Sequence, residues 1–232
     1  MSDRTDFPLF QSVPPALVFD LDGTLIDSVG DIAGALGLLL TEFGRRRLSE
    51  AEVRGMVGDG ATELVRRAFT ATGPDLPAEA VKAAVVRYQD IYAEHPVSSD
   101  CLYPGVVETL TVLAEAGAVM GLCTNKPERI TRTLLEALDL GRFFRAVLGA
   151  DVLPERKPDP APVLRVVEWL GVRPNQAVMV GDSRNDVLAG RAAGLKTVLV
   201  SYGYTRIPAR ELGADAVIDR FADLPRALES WG

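Results

Sequence analysis

Short apolar runs bounded by turn-forming residues recur along the chain, and this pattern restricts the possible folds more than any other feature of the sequence. The runs span residues 16–19, 119–123, 146–148, 177–180, 197–200 and 216–218. Because they are continuously apolar rather than alternating, they predict strands buried on both faces of a parallel sheet. Helix-like stretches lie between them, at 106–116, 128–138, 161–170 and 186–193. The alternation predicts a doubly wound α/β domain.

One segment, from about residue 29 to residue 100, interrupts the alternation with helical periodicity and no convincing strand. Its apolar residues recur at helical spacing, beginning with Ile32, Leu36, Leu39, Leu40 and Phe43. We therefore predict a core domain of residues 1–28 and 101–232, with a small helical cap domain inserted at 29–100. In the cap, the turn from Gly58 through Gly60 is predicted either to open a helix whose backbone N–H groups meet a substrate anion or to be a plain interhelical turn.

Reactive side chains follow four of the predicted strands. In an open parallel sheet, ligands bind beyond the carboxyl ends of the strands, so these positions are the first candidates for a site. The four segments are Asp20-Leu21-Asp22-Gly23-Thr24-Leu25, Thr124-Asn125-Lys126, Lys157-Pro158-Asp159-Pro160 and Gly181-Asp182-Ser183-Arg184-Asn185-Asp186. Each segment alone is also compatible with an ordinary turn, since aspartate and glycine are common turn formers. Their shared placement after strands favours one common site.

Four aspartates gathered at one sheet edge would repel one another and favour a bound cation. They are Asp20, Asp22, Asp182 and Asp186. Mg²⁺ suits such a group, because it takes oxygen ligands and often joins one or two carboxylates to a substrate phosphate. Lys157 would add a point charge and Thr124 a hydroxyl donor for the remaining phosphate oxygens. The predicted cofactor is therefore Mg²⁺ and the predicted partner is a small phosphorylated metabolite.

The same four segments, in the same order, resemble the signature of the haloacid dehalogenase superfamily. The resemblance covers nearly the whole chain. It implies a Rossmann-like doubly wound sheet with an inserted helical cap, and hydrolysis by way of a phosphorylated aspartate. These implications agree with the fold and the metal site predicted from the residues themselves.

The resemblance also implies roles for individual residues. Asp20 would be the nucleophile, and Asp22 would act first as general acid toward the leaving oxygen and then as general base toward water. Mg²⁺ would be held by the Asp20 side chain, the Asp22 backbone carbonyl and Asp182, with Asp186 orienting water or Lys157 from close by. The residues implied to contact substrate are Thr124, Asn125, Lys157, Gly58 and Gly60, of which Thr124 and Lys157 also count as catalytic.

The presence of Asp22 favours phosphoryl chemistry, because the dehalogenating members of the superfamily lack an aspartate at that place. The inserted cap resembles that of the phosphoglycolate phosphatase and β-phosphoglucomutase group. Within this group, segments such as Val57-Gly58-Asp59-Gly60-Ala61, Thr124-Asn125-Lys126-Pro127 and Tyr202-Gly203-Tyr204 resemble phosphoglycolate phosphatases most, which implies 2-phosphoglycolate as the substrate. A cap cation would then have to meet the glycolate carboxylate, and the candidates are Arg54, Arg66 and Arg67. All three could equally be exposed helix charges.

Two alternatives stay open at this stage. One is a β-phosphoglucomutase-like sugar phosphomutase or a broad sugar phosphatase, which a similar cap would also suit. The other is a non-catalytic, receiver-like phosphate-binding module, since such modules also combine acidic residues, a threonine and a lysine. The cap and the intact Asp22 argue against the second alternative.

Composition excludes several other classes of function. The net charge of -7 disfavours nucleic acid and anionic membrane as partners. His95 is the sole histidine and there are two cysteines, which excludes a multi-histidine zinc site and a disulfide framework. No apolar core of a signal peptide follows the first residues, so a cytoplasmic protein is expected, as a monomer or a homodimer.

Overall fold

The computed structural model describes residues 16–94, 99–229 and 231, so His95 lies outside the described residues. Within these ranges the chain forms a six-stranded sheet in the order β3-β2-β1-β4-β5-β6, and every neighbouring pair is parallel. The strands are β1 Ala16–Phe19, β2 Val119–Cys123, β3 Ala146–Leu148, β4 Ala177–Gly181, β5 Lys196–Val200 and β6 Ala216–Ile218. The predicted doubly wound sheet is confirmed.

The predicted strand positions hold, with small differences at two ends. β4 extends one residue further, to Gly181, and β5 begins one residue earlier, at Lys196. The central strand β1 is fully buried along its length, and its last residue Phe19 pairs with Leu122 of β2 and Val180 of β4. The carboxyl ends of these three strands therefore finish side by side.

The inserted segment contains helices throughout its described residues. They are α1 Val29–Glu42, α2 Glu50–Arg54, α3 Ala61–Thr72 and α4 Ala78–Glu94. This agrees with the predicted helical cap, although Phe43 falls just beyond α1 with 44% of its surface exposed. Its ring instead lies edge-on to Phe69 of α3, with 5.0 Å between ring centroids.

The two connections between cap and core run beside each other. The Asp27 N–H donates to the Cys101 carbonyl at 2.7 Å, and the Tyr103 N–H donates to the Leu25 carbonyl at 3.0 Å. Paired connections of this kind hold the entry and exit of the insertion together. They lie close to the domain boundaries at 28/29 and 100/101, which stay a prediction.

The remaining helices cover both faces of the sheet. They are α5 Val106–Glu115, α6 Glu128–Ala137, α7 Ala161–Leu170, α8 Arg184–Ala192 and α9 Leu224–Glu229. Because successive side chains of a strand point to opposite faces, Leu17 and Phe19 pack in the apolar cluster that contains α5, α6 and α9, whereas Ala16 and Val18 pack against α7 and α8. The cap shares the first cluster, through residues such as Leu36.

Helix α8 begins two residues before the predicted start at 186. Ser183 is its N-cap, and the Asp186 carboxylate accepts hydrogen bonds from the Ser183 N–H at 3.0 Å and the Ser183 hydroxyl at 2.7 Å. This closes the first turn, as in a capping box. Among the described helices, none combines the length and the apolar character that crossing a bilayer requires.

Candidate active site

The candidate site lies where the sheet changes direction, beyond the carboxyl ends of β1 and β4. The chain winds from β1 outward to β2 and β3, and then returns to place β4 on the other side of β1. Asp20 directly follows β1 and Asp182 directly follows β4. In doubly wound sheets this crevice is the usual ligand site.

Three of the four aspartates predicted for the metal site form one compact, buried group. Oxygens of Asp20, Asp182 and Asp186 all lie within 4.8 Å of one another. The three residues expose only 8%, 3% and 1% of their surface, respectively. Each is held at the end of a strand or in the first turn of α8, so the sheet itself sets their spacing.

Lys157 reaches this group from the loop that follows β3. Its Nζ lies 2.6 Å from Asp186 Oδ1 and 2.9 Å from Asp20 Oδ1, and its side chain is 2% exposed. The predicted convergence of Lys157 with the aspartates is therefore present in the structure. The second oxygen of Asp186 accepts from Ser183, so both of its oxygens are already bonded. These bonds favour the orienting role of Asp186 over direct metal contact.

The group carries more negative charge than its own lysine balances. Burial raises the pKa of Asp20 to about 6, with Lys157 opposing and Asp186 adding to the shift. Burial also raises the pKa of Asp182 well above its ordinary value, and the Asp186 and Asp20 carboxylates raise it further. Although burial alone would lower the pKa of Lys157, Asp186 and Asp20 raise it. Buried, closely spaced carboxylate oxygens are the donors that a hard divalent cation takes, so these residues fit a metal ion.

Asp182 is seated by the loop that follows β5. The Tyr204 N–H donates to Asp182 Oδ2 at 2.6 Å. A side chain at Gly203 would have no room, because its Cβ would lie 2.2 Å from the Asp182 Cβ. Gly23 is equally constrained, since it has a φ of +82° and a Cβ there would lie 2.4 Å from Asp182 Oδ2. Glycine at both positions is thus what allows Asp182 to approach the site.

The Asp22 carboxylate stands apart from the three-aspartate group. Its Oδ1 accepts a hydrogen bond of 2.6 Å from the Ser28 hydroxyl. Lys126 Nζ lies 3.0 Å from Oδ1 and 3.2 Å from Oδ2. The Asp22 side chain is therefore held by Ser28 and Lys126 and lies outside the three-aspartate group. The metal contact of its backbone carbonyl stays a prediction.

Tyr204 also connects the site to the cap. Its hydroxyl donates to Asp27 Oδ1 at 2.9 Å, and Asp27 pairs with Arg54 of α2 at 3.0 Å. The Arg54 guanidinium lies over the Tyr204 ring, 5.0 Å from its centroid. These contacts join the β5 loop to the connection at Asp27 and to α2 of the cap, beside the three-aspartate group.

A family model described as haloacid dehalogenase-like hydrolase matches residues 17–200, which include the helices of the inserted segment and the site residues described above other than those of the β5 loop. The chain belongs to this haloacid dehalogenase-like hydrolase family. The match extends over most of the chain and contains the aspartates, Thr124 and Lys157 in the order predicted from the sequence.

Relatives within the haloacid dehalogenase-like family are similar to almost the full chain. A phosphoglycolate phosphatase of Caulobacter vibrioides is 46% identical over 211 residues, with 91% of this chain and 89% of the relative covered. A phosphoglycolate phosphatase of Rhodospirillum rubrum is 46% identical over 216 residues, with 91% and 90% covered. A crystal structure of a predicted phosphoglycolate phosphatase from Haemophilus somnus has a TM-score of 0.87 at 33% identity, covering 94% of this chain and 99% of that one.

These similarities confirm the predicted family and fold and the predicted enzyme class, a phosphoric monoester hydrolase similar to phosphoglycolate phosphatases. They also disfavour the alternative of a non-catalytic, receiver-like module. What the family match does not assign is the role of each residue, which depends on the contacts in this chain.

The pocket of this haloacid dehalogenase-like protein is small and lies between core and cap. Its cavity volume is about 50 Å³. Its core side contains Asp20, Asp22, Thr124 and Lys157. The cap supplies an apolar wall, made by Ile32, Val57, Leu64 and Tyr88. The pocket thus suits a small molecule with one anionic end.

Gly58 and Gly60 also line the pocket, as predicted, and the Gly58 carbonyl joins cap to core. It accepts from Asn125 Nδ2 at 2.9 Å and from Asn185 Nδ2 at 3.2 Å. Asn125 Nδ2 also donates to the Lys157 carbonyl at 2.9 Å. Because both hydrogens of the Asn125 amide are committed, that side chain serves the closure of the cap, and its predicted contact with substrate would have to come from Oδ1 or from its backbone.

The three cap arginines proposed to meet a substrate carboxylate lie outside this pocket. Arg54 pairs with Asp27 at 3.0 Å, Arg66 with Glu63 at 2.5 Å and Arg67 with Asp59 at 2.5 Å. The expectation of a cap cation in the pocket is therefore not supported. In the described part of the chain, the cationic side chains lining the pocket are Lys126 and Lys157, both from the core.

Sequence reasoning missed the importance of Lys126, Ser28 and Tyr204. Lys126 stands directly after Thr124-Asn125 in a segment already chosen as part of the site, so its position was a usable signal. Ser28 and Tyr204 reach Asp22, Asp27 and Asp182 through loops whose course no local pattern indicates. Their contacts depend on the tertiary fold.

Proposed function

We propose that this protein is a Mg²⁺-dependent phosphatase that hydrolyses a small phosphomonoester, with 2-phosphoglycolate as the preferred substrate and glycolate and phosphate as products. The observation that carries the proposal is the separation of Asp20 and Asp22, the two aspartates that follow β1. Asp20 lies in a buried group with Asp182, Asp186 and Lys157, whereas Asp22 faces the pocket with its own donors. This separation supports covalent catalysis by Asp20 and proton transfer by Asp22.

Asp20 would attack the phosphorus atom, and the bond from phosphorus to the ester oxygen would break. Lys157 holds Asp20 through Oδ1 at 2.9 Å, which fixes the carboxylate and leaves Oδ2 for the attack. Near-attack placement of this kind is a large part of enzymatic phosphoryl transfer. The product of this half-reaction is an aspartyl phosphate on Asp20.

Asp22 would give a proton to the leaving oxygen and then take one from the water that hydrolyses the aspartyl phosphate. The same carboxylate can serve both steps, because it gives its proton to the leaving oxygen in the first step and takes one from water in the second. This role is supported by the position of Asp22, which lines the pocket but is not part of the three-aspartate group.

The metal would be held by the side chains of Asp20 and Asp182 and the backbone carbonyl of Asp22, with Asp186 bonded behind them. When bound, Mg²⁺ would neutralise these carboxylates and withdraw charge from the transferring phosphoryl group. The Thr124 hydroxyl and Lys157 line the pocket beside Asp20 and would donate to the remaining phosphate oxygens. The cap would exclude water from this half-reaction.

The preference for 2-phosphoglycolate rests on the size of the pocket and on the relatives. A cavity of about 50 Å³ with an apolar wall from the cap suits a short phosphate ester better than a macromolecular one. The curated relatives at 46% identity are phosphoglycolate phosphatases. Both observations favour a substrate with a very short carbon chain.

A phosphoenzyme experiment tests the proposal directly. Asp22→Asn keeps the nucleophile but slows hydrolysis of the intermediate, so reaction with p-nitrophenyl phosphate and Mg²⁺ should accumulate protein carrying one phosphoryl group. Peptide mapping by mass spectrometry should locate that group on Asp20. Absence of a phosphorylated species, or its location on another residue, would contradict the mechanism.

A substrate panel tests the specificity. Wild-type kcat/KM should be highest for 2-phosphoglycolate among short phosphate esters that include ethyl phosphate, glycerol phosphate and glucose 1-phosphate. Release of inorganic phosphate must accompany the reaction, since a phosphomutase would move phosphate within the sugar instead. A higher value for a sugar phosphate would overturn the substrate assignment and leave the phosphatase assignment intact.

A further inference from the structure

Lys126 is a buried cation with a defined place in the site. Its side chain is 5% exposed, and its Nζ contacts both oxygens of Asp22, at 3.0 and 3.2 Å. Its backbone is also fixed, because its N–H donates to Thr124 Oγ1 at 3.2 Å and its carbonyl accepts from the Ala150 N–H at 2.9 Å. A lysine held at both ends loses the flexibility that this side chain usually has.

The cap supplies the other contact of the Lys126 ammonium group. Tyr92 lies on α4, and Lys126 Nζ lies over its ring, 4.5 Å from the centroid. Tyr92 is 4% exposed, and its hydroxyl has no hydrogen-bond partner among the described residues. The ring face is therefore what Tyr92 offers to Lys126, as in other buried cation–π pairs.

The two lysines of the pocket have divided tasks. Lys157 is bonded to Asp20 and Asp186, the nucleophile and its neighbour. Lys126 contacts Asp22, which lies outside the three-aspartate group. A monodentate contact from Ser28 alone would leave the Asp22 carboxylate free to rotate, whereas the contacts from Ser28 and Lys126 together fix its plane.

We propose that Lys126 is a positioning residue that aims the Asp22 carboxylate at the ester oxygen, and that Tyr92 makes this aim depend on the closed cap. The inference rests on the proposed function, since it concerns the proton that Asp22 gives to the leaving oxygen as the phosphorus–oxygen bond breaks. With the cap closed, the ammonium group is fixed between ring and carboxylate. With Tyr92 withdrawn, Lys126 and hence Asp22 lose that restraint.

The inference makes a specific kinetic prediction. A substrate whose leaving group is a strong base needs the proton, whereas p-nitrophenolate leaves without it. A variant that misplaces Asp22 must therefore lose kcat/KM on alkyl phosphates far more than on p-nitrophenyl phosphate. kcat/KM is the right measure, because it includes only the steps up to formation of the aspartyl phosphate.

The experiment compares Lys126→Met with wild type on 2-phosphoglycolate, ethyl phosphate and p-nitrophenyl phosphate at saturating Mg²⁺. We expect kcat/KM to fall by about 100-fold on both alkyl esters and by less than about fivefold on p-nitrophenyl phosphate, as for loss of general acid catalysis. An equal fall of kcat/KM on all three substrates would indicate that Lys126 binds the phosphate group or supports the fold. A fall confined to 2-phosphoglycolate would make it the site of the substrate carboxylate. Either result overturns the proposal.

Variants of Tyr92 test the dependence on the cap and provide a second route if Lys126→Met does not fold. Tyr92→Leu removes the ring face and should lower the ratio of alkyl to p-nitrophenyl kcat/KM by about tenfold, since a buried cation–π contact is a few-fold to tenfold effect. Tyr92→Phe keeps the ring and should lower that ratio far less. Equal effects of the two variants would exclude the cation–π contact as the restraint.

A matched control is Lys82→Met on the exposed surface of α4, where Lys82 pairs with Glu79 at 2.9 Å. It should leave all three values within about twofold, as expected for an exposed ion pair. The wild-type measurement separates the two proposals. If wild type hydrolyses none of the esters, the proposed function fails; if it hydrolyses them but Lys126→Met keeps the leaving-group ratio, only the present inference fails.

Discussion

The core edge and the cap meet at one pocket but contribute in opposite ways. The core edge brings charged side chains into burial, with Asp182 and Lys157 at 3% exposure each. The cap presents apolar side chains and the backbone of Gly58 and Gly60, while its arginines, such as Arg66, are paired at the surface. The core thus supplies the charged groups of the pocket, and the cap supplies its apolar wall.

The core therefore holds the reacting groups, whereas the cap controls the access of water and substrate to them. Side chains fixed at the ends of strands can hold reacting groups to within fractions of an ångström, which phosphoryl transfer demands. An apolar lid can exclude water without adding charges that would lose their hydration on closure. Changes at the core edge should therefore abolish turnover, and changes in the cap should alter binding and selectivity.

The largest effect is expected for Asp20→Asn. Loss of the nucleophile should reduce kcat by at least about 10⁴-fold, while the fold persists because the amide has nearly the same shape. Phosphate release with 2-phosphoglycolate and circular dichroism measure the two quantities. A variant with near-normal turnover would remove Asp20 from the nucleophile role.

Removal of divalent ions should stop turnover as completely. The core edge needs a cation to balance Asp20, Asp182 and Asp186. Activity should fall to background in excess chelator and return with Mg²⁺ but not with Ca²⁺, because Ca²⁺ favours a larger and less regular shell. Full turnover in chelator would contradict the metal assignment.

A cap contact should have a smaller effect. Asn185→Ala removes the hydrogen bonds to the Gly58 carbonyl and to Asp59 Oδ1, at 3.2 and 2.8 Å. We expect kcat/KM for 2-phosphoglycolate to fall about tenfold, mainly through KM, since about 1.4 kcal/mol of cap closure is lost. Arg66→Ala, on the surface of the cap, should change it by less than about twofold. Equal effects would show that the cap arginine is more than a surface charge.

The smallest effect concerns stability rather than rate. Because the folded-state pKa of Asp182 is raised, the fold favours its protonated form, and the associated stability is present at low pH and is lost as pH rises through that raised value. Metal-free Asp182→Asn should therefore unfold a few degrees above metal-free wild type near pH 8. The difference should vanish below the ordinary pKa of 3.8, where both states of wild type bind the proton.

Addition of Mg²⁺ completes this test. It should raise the unfolding temperature of wild type near pH 8 more than that of Asp182→Asn, since a ligand that binds only the folded state stabilises it in proportion to its affinity. Differential scanning calorimetry measures both proteins with and without the ion. A lower unfolding temperature of the metal-free variant near pH 8 would show that the Asp182 charge stabilises the fold.

The fold was predictable from the sequence because short stretches of residues are enough to identify its strands and helices. Runs such as 16–19 and 119–123 are short, apolar and followed by reactive residues, and parallel strands must end at one edge. The approach of Asp20 and Asp182 followed from that rule, whereas Lys157 lies nine residues after the end of β3 and was assigned to the site with the help of the family resemblance. The ends of elements were less accurate, as at α8, where Ser183 and Asp186 close a turn that carries no apolar residue.

The pairing of side chains was less predictable. The position of Glu63 three residues before Arg66 on one helix could have indicated a surface ion pair, and the structure has it. By contrast, Lys126 and Tyr92 are 34 residues apart in number, and only the closed cap brings them together. The partner of a buried cation such as Lys126 therefore depends on the packed structure, and no local spacing in the sequence encodes it.

The β5 loop has a consequence for how such an enzyme can change over time. Tyr204 holds Asp182 through its backbone and Asp27 through its hydroxyl, while Arg54 of the cap rests on its ring. A substitution that shifts this loop must therefore alter ion affinity and domain movement in a single mutational step. Natural selection on ion affinity through this loop would therefore also act on domain movement.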